Sequence, residues 1–189
     1  LGKTPFIQDV KPNPYDEAVS LVWYLENVFY PTAGDIVHYL EKNIFDGVPI
    51  KNQLIQLGFW PGGDRDGNPF VPTEITLKVA ERLRTSILKC YYFEIRNLKR
   101  KLTFDHVDVL VTELEQKLYR SVFYSRGEIY ITLEEFKSQL NKIKTIIIEQ
   151  HQSLYVDELE ALLIKVNLFG FHFATLDIRQ NSKIHNGVF

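Results

Sequence analysis

The sequence predicts a mainly α protein, a bundle of amphipathic helices with one or a few short β-strands. Three observations carry that prediction. Apolar residues from Ile75 to Leu102 recur every three or four positions, the spacing of one helical face. Helix start signals punctuate the rest of the chain: acids after Pro14, then Thr32, Asp105 and the capping-box match Thr132-Leu133-Glu134-Glu135. Only Phe171 to Arg179 alternates with a period of two.

The chain of 189 residues is long enough for one domain with a real core. Its 45% apolar and 24% charged content are ordinary for a soluble globular protein. A net charge of −2 argues against nucleic acid or an anionic membrane as the main partner. No apolar run approaches the ~20 residues that span a bilayer. The single cysteine, Cys90, cannot form an internal disulfide, and no signal peptide is visible, so a reducing, cytoplasmic location is expected. The sequence has no methionine, and it stops at Asn186-Gly187-Val188-Phe189 just after a strand-like run. Residues 1–189 are therefore expected to be a single helical segment of something larger. Its 13% aromatic content fits packing surface for the missing parts.

Taken in order, Leu1 to Asn13 reads as an extended lead-in. A helix starts after Pro14 with Asp16 and Glu17 in its first turn, and Pro31 is expected to stop it. Thr32 then reads as the N-cap of a second helix through Ile36, Val37, Leu40 and Ile44. Asp46-Gly47-Val48-Pro49 ends that segment. The long stripe after Pro72 carries Ile75, Val79, Leu83, Ile87, Tyr91, Ile95, Leu98 and Leu102. The Lys99-Arg100-Lys101 cluster at its end is read as a solvated complement to the helix dipole.

Asp105 is expected to cap a helix through Val107 and Leu118. Arg126-Gly127-Glu128 reads as a turn, with a short extended piece at Glu128 to Ile131. Thr132 opens a helix through Phe136 and Ile147, and Tyr155 to Leu168 is the last helix, with Gly170 as its C-cap. From 171 to 179, alternation places Phe171, Phe173, Thr175, Asp177 and Arg179 on one side. A helix followed by such a strand is the shape of a unit in an α/β barrel, where Asp177 and Arg179 would fall at the catalytic, C-terminal end. An Asp–Arg pair that merely closes a strand end is at least as good a reading of the sequence alone.

The richest stretch is the loop 58–70, Gly58-Phe59-Trp60-Pro61-Gly62-Gly63-Asp64-Arg65-Asp66-Gly67-Asn68-Pro69-Phe70. Its glycines and prolines make it an ordered turn, and Asp-Arg-Asp can form an ion pair that locks it. Asp64, Asp66 and Asn68 match the first three ligands of a calcium loop. The sixth and twelfth positions are Pro69 and Ile75 instead of glycine and glutamate, so that reading fails. No dinucleotide or P-loop motif is present, and the five histidines lack zinc spacing. Cys90 reads as a small buried hydrophobe.

Residue order says more. Trp60 followed by Gly62 to Pro69 resembles the W-x-G-G-D-R-D-G-N-P motif of phosphoenolpyruvate carboxylases. Upstream, Lys11-Pro12-Asn13-Pro14-Tyr15-Asp16-Glu17-Ala18 is similar to that family's K-P-T-P-x-D-E-A. Downstream, Leu176-Asp177-Ile178-Arg179-Gln180-Asn181-Ser182 is similar to its L-D-I-R-Q-E-S. The resemblance spans nearly the whole chain.

It implies a large, mostly helical enzyme around an α/β barrel, a homo-oligomer that joins bicarbonate to phosphoenolpyruvate with Mg²⁺ or Mn²⁺, giving oxaloacetate and phosphate. Under it, Arg179 binds the substrate phosphate and Trp60 lines the CO₂ pocket. Gly62, Gly63, Asp64, Arg65, Asp66, Gly67, Asn68 and Pro69 brace the active-site loop, and Asp177 and Gln180 support Arg179. Asn181 departs from the family glutamate, and Pro61 fills a variable position. The T-A-H-P-T-E motif with its catalytic histidine, the metal-binding carboxylates and the glycine-rich arginine loop are not found. The segment alone is therefore expected to be inactive. The alternative is a helical interaction or scaffold module that keeps the motifs for structure.

Overall fold

A computed structural model describes residues 13–50, 52–66, 68–124, 128 and 130–187. The lead-in at 1–12 (with Lys11 and Pro12 of the upstream motif), Gly67, Arg126-Gly127 and Ile129 lie outside the described residues. Helix α1 (Pro14–Tyr24) opens on a reciprocal cap. The Asn13 side-chain oxygen accepts from the Tyr15 and Asp16 N–H groups at 2.9 and 3.0 Å, and Asp16 Oδ2 accepts from Asn13 N–H.

Pro31 does not stop this helix. The chain passes through one π-helical segment, Leu25–Phe29, straight into α2 (Tyr30–Asn43). There the Tyr30 N–H reaches back five residues to the Leu25 carbonyl. The widened turn accommodates a ring that would collide with the carbonyl four residues earlier in a regular α-helix. Thr32 is consequently a helical residue and not an N-cap.

Helix α3 (Thr73–Lys99) is the axis of the bundle. Val79, Leu83, Ile87, Tyr91, Ile95 and Leu98 are all buried along it, each aliphatic one contributing about 1.5–3 kcal/mol of burial. It packs on α1, on α4 (Val107–Phe123) and on α6 (Val156–Phe169), while α5 (Leu133–Gln150) bridges α4 and α6. Asp105 does not cap α4. Its carboxylate turns to the adjacent His106, accepting from that residue's backbone N–H and lying 3.4 Å from its ring Nε2; His106 is left-handed (φ 63°), and the Phe104 carbonyl takes the first helical N–H groups. Thr132 does cap α5, its Oγ1 accepting from Glu135 N–H at 3.1 Å. The basic cluster is paired across the bundle: Lys99 meets Glu115 of α4 and Lys101 meets Glu158 of α6.

The strand expected over 171–179 is reduced to β2, Thr175–Leu176. Phe171, Phe173 and Ala174 are all buried, which breaks the alternation, and Phe173 is left-handed (φ 65°). Aromatic packing overrides the period of two: Phe171 lies against Phe136 and Tyr91, and Phe173 against Phe169 and Tyr30. Gly170 does end α6, and its carbonyl accepts from the buried Tyr91 hydroxyl at 2.8 Å.

Candidate functional site

The loop 58–70 is stapled to the stretch 175–179. Strand β1 (Gly58–Phe59) pairs in parallel with β2, Gly58 opposite Thr175 and Phe59 opposite Leu176. Thr175 N–H donates to the Leu57 carbonyl and Asp177 N–H to the Phe59 carbonyl, both at 2.8 Å. The ladder resumes beyond the turn, where Asp64 bridges Arg179. Arg179 N–H donates to the Gly63 carbonyl at 3.1 Å, and Arg65 N–H to the Arg179 carbonyl at 2.9 Å.

Two glycines permit this approach. A Cβ on Gly63 would stand 2.2 Å from the Asp177 carbonyl oxygen, so no side chain fits. Gly62 is left-handed (φ 81°), and a Cβ there would stand 2.5 Å from Val79 Cγ2 on α3. Between them the Trp60 carbonyl accepts from Gly63 N–H at 2.8 Å and from Asp64 N–H at 3.3 Å, closing the turn.

The expected Asp–Arg lock inside the loop is replaced by another arrangement. Arg65 Nη2 donates to Thr76 Oγ1 at 2.8 Å, and that hydroxyl donates to the Gly62 carbonyl at 2.7 Å. Asp64 Oδ1 accepts instead from Asp66 N–H, and Asn68 Oδ1 from Phe70 N–H, which are local turn bonds. Pro69 lies exposed at the rim of the turn. Thr76 was not singled out by motif or spacing. The available signal is that it shares the buried stripe with Val79 and Leu83, and a hydroxyl on an apolar stripe needs partners.

Arg179 is held by Asp177: Nε and Nη2 both contact Oδ2, at 2.9 and 2.8 Å. Both side chains are about half exposed, so the pair adds little stability. It does orient the guanidinium and leave its remaining N–H groups for an anion. Gln180 turns away, its Oε1 accepting from Asn181 N–H. Asn181 Oδ1 accepts from Lys183 N–H at the start of α7 (Ser182–Asn186), so this amide supports the next helix.

Trp60 is 57% exposed and walls a cleft of about 410 Å³ together with Glu17, Leu21, Phe59, Pro61 and Asp177. All three motifs therefore meet: Glu17 from the upstream one, Trp60 from the loop, and Asp177 with its partner Arg179 from the downstream one. A larger cleft of about 890 Å³ opens elsewhere, between α2, α5 and α6. It contains no residue of the loop or of the Asp177–Arg179 pair, and its lining mixes lysines with acids.

No group of three His, Cys, Asp or Glu side chains among the described residues can hold a metal ion. The cleft offers two carboxylates, Glu17 and Asp177, and the second is engaged by Arg179. The described residues of the cleft do not fit a divalent cation. Burial pushes the Cys90 thiol up to about 12, with Glu26 and Glu94 adding to the effect, which removes it as a nucleophile near neutral pH. Among the described residues no helix is long and apolar enough to cross a membrane.

The phosphoenolpyruvate carboxylase family model matches residues 1–122 and 110–189. The chain belongs to the phosphoenolpyruvate carboxylase family. It is 30% identical to the phosphoenolpyruvate carboxylase of Nitrosomonas eutropha over 100% of this chain and 25% of that protein. The Aeromonas salmonicida enzyme is 26% identical over 97% of this chain and 24% of its own length, and the Rhodopseudomonas palustris enzyme 27% over 98% and 25%. The chain thus spans about a quarter of the length of the carboxylases it matches. The Nitrosomonas match runs over 233 residues against the 189 here, so that carboxylase carries additional residues within the shared region.

Proposed function

We propose that this chain is the segment of a phosphoenolpyruvate carboxylase that supplies a phosphate-binding arginine and one wall of the CO₂ pocket. The whole enzyme carboxylates phosphoenolpyruvate with bicarbonate to oxaloacetate and phosphate, replenishing a carboxylic-acid cycle in the cytoplasm as a homo-oligomer. The observation that carries this reading is the parallel staple that sets Asp177 both in the Trp60 cleft and on Arg179.

The chemistry suits the residues. Arg179 is permanently charged and forks onto phosphate oxygens, where it stabilises the charge of a departing phosphoryl group. Asp177 fixes its plane. The indole of Trp60 is a flat apolar wall that excludes water from CO₂ once the cleft is covered, so the enolate carbon meets CO₂ before a proton. The loop from Gly62 to Pro69, including Arg65 and Asn68, holds that wall and Arg179 in register. Mg²⁺ or Mn²⁺, the general base and the other phosphate ligands come from the rest of the polypeptide, which makes the segment alone inactive.

The test is oxaloacetate formation by the full-length polypeptide, coupled to NADH oxidation by malate dehydrogenase, beside the isolated segment. Bicarbonate-dependent turnover by the full-length protein only is the expected result. A full-length protein that binds other helical proteins but forms no oxaloacetate would establish the scaffold reading instead.

A further inference from the structure

We infer that Thr76 is a positioning residue for the carboxylation site, acting through the loop on Arg179. This inference rests on the carboxylase reading above. Thr76 lies in the first turn of α3 and is 6% exposed. Its one hydroxyl has two partners, and their chemistry sets the direction of each bond. The Gly62 carbonyl has no proton to give, so it accepts at 2.7 Å; the Arg65 guanidinium can only donate, at 2.8 Å. Only a hydroxyl can do both.

Gly62 and Arg65 flank Gly63 and Asp64, the residues that face Arg179. Gly63 accepts from the Arg179 N–H, and Arg65 donates its own N–H to the Arg179 carbonyl. Thr76 thus pins both ends of the short segment to which the Arg179 backbone is tied. Nothing substitutes for it among the described residues: Arg65 Nε is buried without a partner, and Thr76 is the group its side chain bonds. The helix itself does not need this hydroxyl, because the Thr76 backbone N–H already bonds the Pro72 carbonyl. Removing the hydroxyl leaves the buried Gly62 carbonyl and the part-buried Arg65 guanidinium without this partner, and the loop must shift to hydrate them. A displacement of about 1 Å at a reacting group is enough to cost on the order of 100-fold in rate.

The experiment compares Thr76→Val, which keeps the shape, with Thr76→Ser, which keeps the hydroxyl, in the full-length protein. Steady-state oxaloacetate formation and amide hydrogen exchange are measured together. Thr76→Val is expected to lose about 10–100-fold in kcat/KM for phosphoenolpyruvate, with Thr76→Ser within about threefold of wild type. The Arg65 and Arg179 amides should exchange about tenfold faster in Thr76→Val while α6 amides do not change, a local signature that general destabilisation would not give. Arg65→Met removes the other end of the relay and serves if Thr76→Val does not fold. Where both fold, the double variant should be no worse than the poorer single one. Wild-type turnover with Thr76→Val equally active overturns the role of Thr76 and leaves the carboxylase reading intact. A wild type that forms no oxaloacetate overturns that reading, and the exchange of Arg65 and Arg179 then still tests the relay by itself.

Discussion

The carbonyl oxygen of Asp177 lies only 2.2 Å from where a Cβ on Gly63 would have to be, closer than any side chain could tolerate. The loop and the stretch carrying Arg179 are therefore in backbone contact, and their separation is set by the absence of a side chain. Gly63→Ala should force them apart, break the bond from Arg179 N–H to the Gly63 carbonyl, and cost about 2–4 kcal/mol, since backbone cannot yield as a flexible side chain does. Gly58→Ala is the control, because a Cβ there meets nothing within 4 Å. Urea unfolding midpoints should fall clearly for the first variant and by well under about 1 kcal/mol equivalent for the second.

Trp60 makes a prediction about partition. Under the proposed carboxylase reading, Trp60→Ala should admit water to the CO₂ pocket, so that the enolate of pyruvate is protonated more often than it is carboxylated. Phosphate release should then exceed oxaloacetate formation, with pyruvate making up the difference, and the KM for bicarbonate should rise on the order of tenfold. Equal yields of phosphate and oxaloacetate in this variant would remove Trp60 from the pocket.

Cys90 gives a pH dependence with a definite sign. Its thiol pKa rises from 9.0 to about 12 on folding, so the folded protein binds more protons than the unfolded chain between those values. Stability from this group is fully present below pH 9 and falls as pH rises toward 12. Tyr91, pushed well above 10.0 by burial, acts in the same direction from pH 10 upward. Cys90→Ala should flatten the alkaline loss between pH 9 and 10. At pH 8 iodoacetamide should label Cys90 only in urea concentrations that unfold the protein.

Much of this was legible in the sequence. The stripe from Ile75 to Leu102 yields α3 because one helix face supplies the axis of the core, and the order of the three motifs marks the residues that converge on one cleft. The failures have two causes: one local signal loses to an irregular helical turn, and the others lose to contacts made across the fold. Pro31 is a helix breaker only while the helix stays regular, and a π turn at Leu25–Phe29 removes that condition. The alternation from Phe171 to Arg179 yields to aromatic burial against Tyr30 and Phe136. Arg65 passes over the neighbouring carboxylates for Thr76 because α3 packs beneath the loop, which no local pattern announces.

The most direct test of the central claim is the kinetics of Arg179→Ala in the full-length protein, read as bicarbonate-dependent phosphate release from phosphoenolpyruvate. Loss of a charged donor from a developing phosphate anion predicts a fall in kcat/KM of about 10²–10³ with the fold unchanged by circular dichroism. A variant that releases phosphate at the wild-type rate would contradict the account, and would leave the Asp177–Arg179 pair as the closure of a strand end.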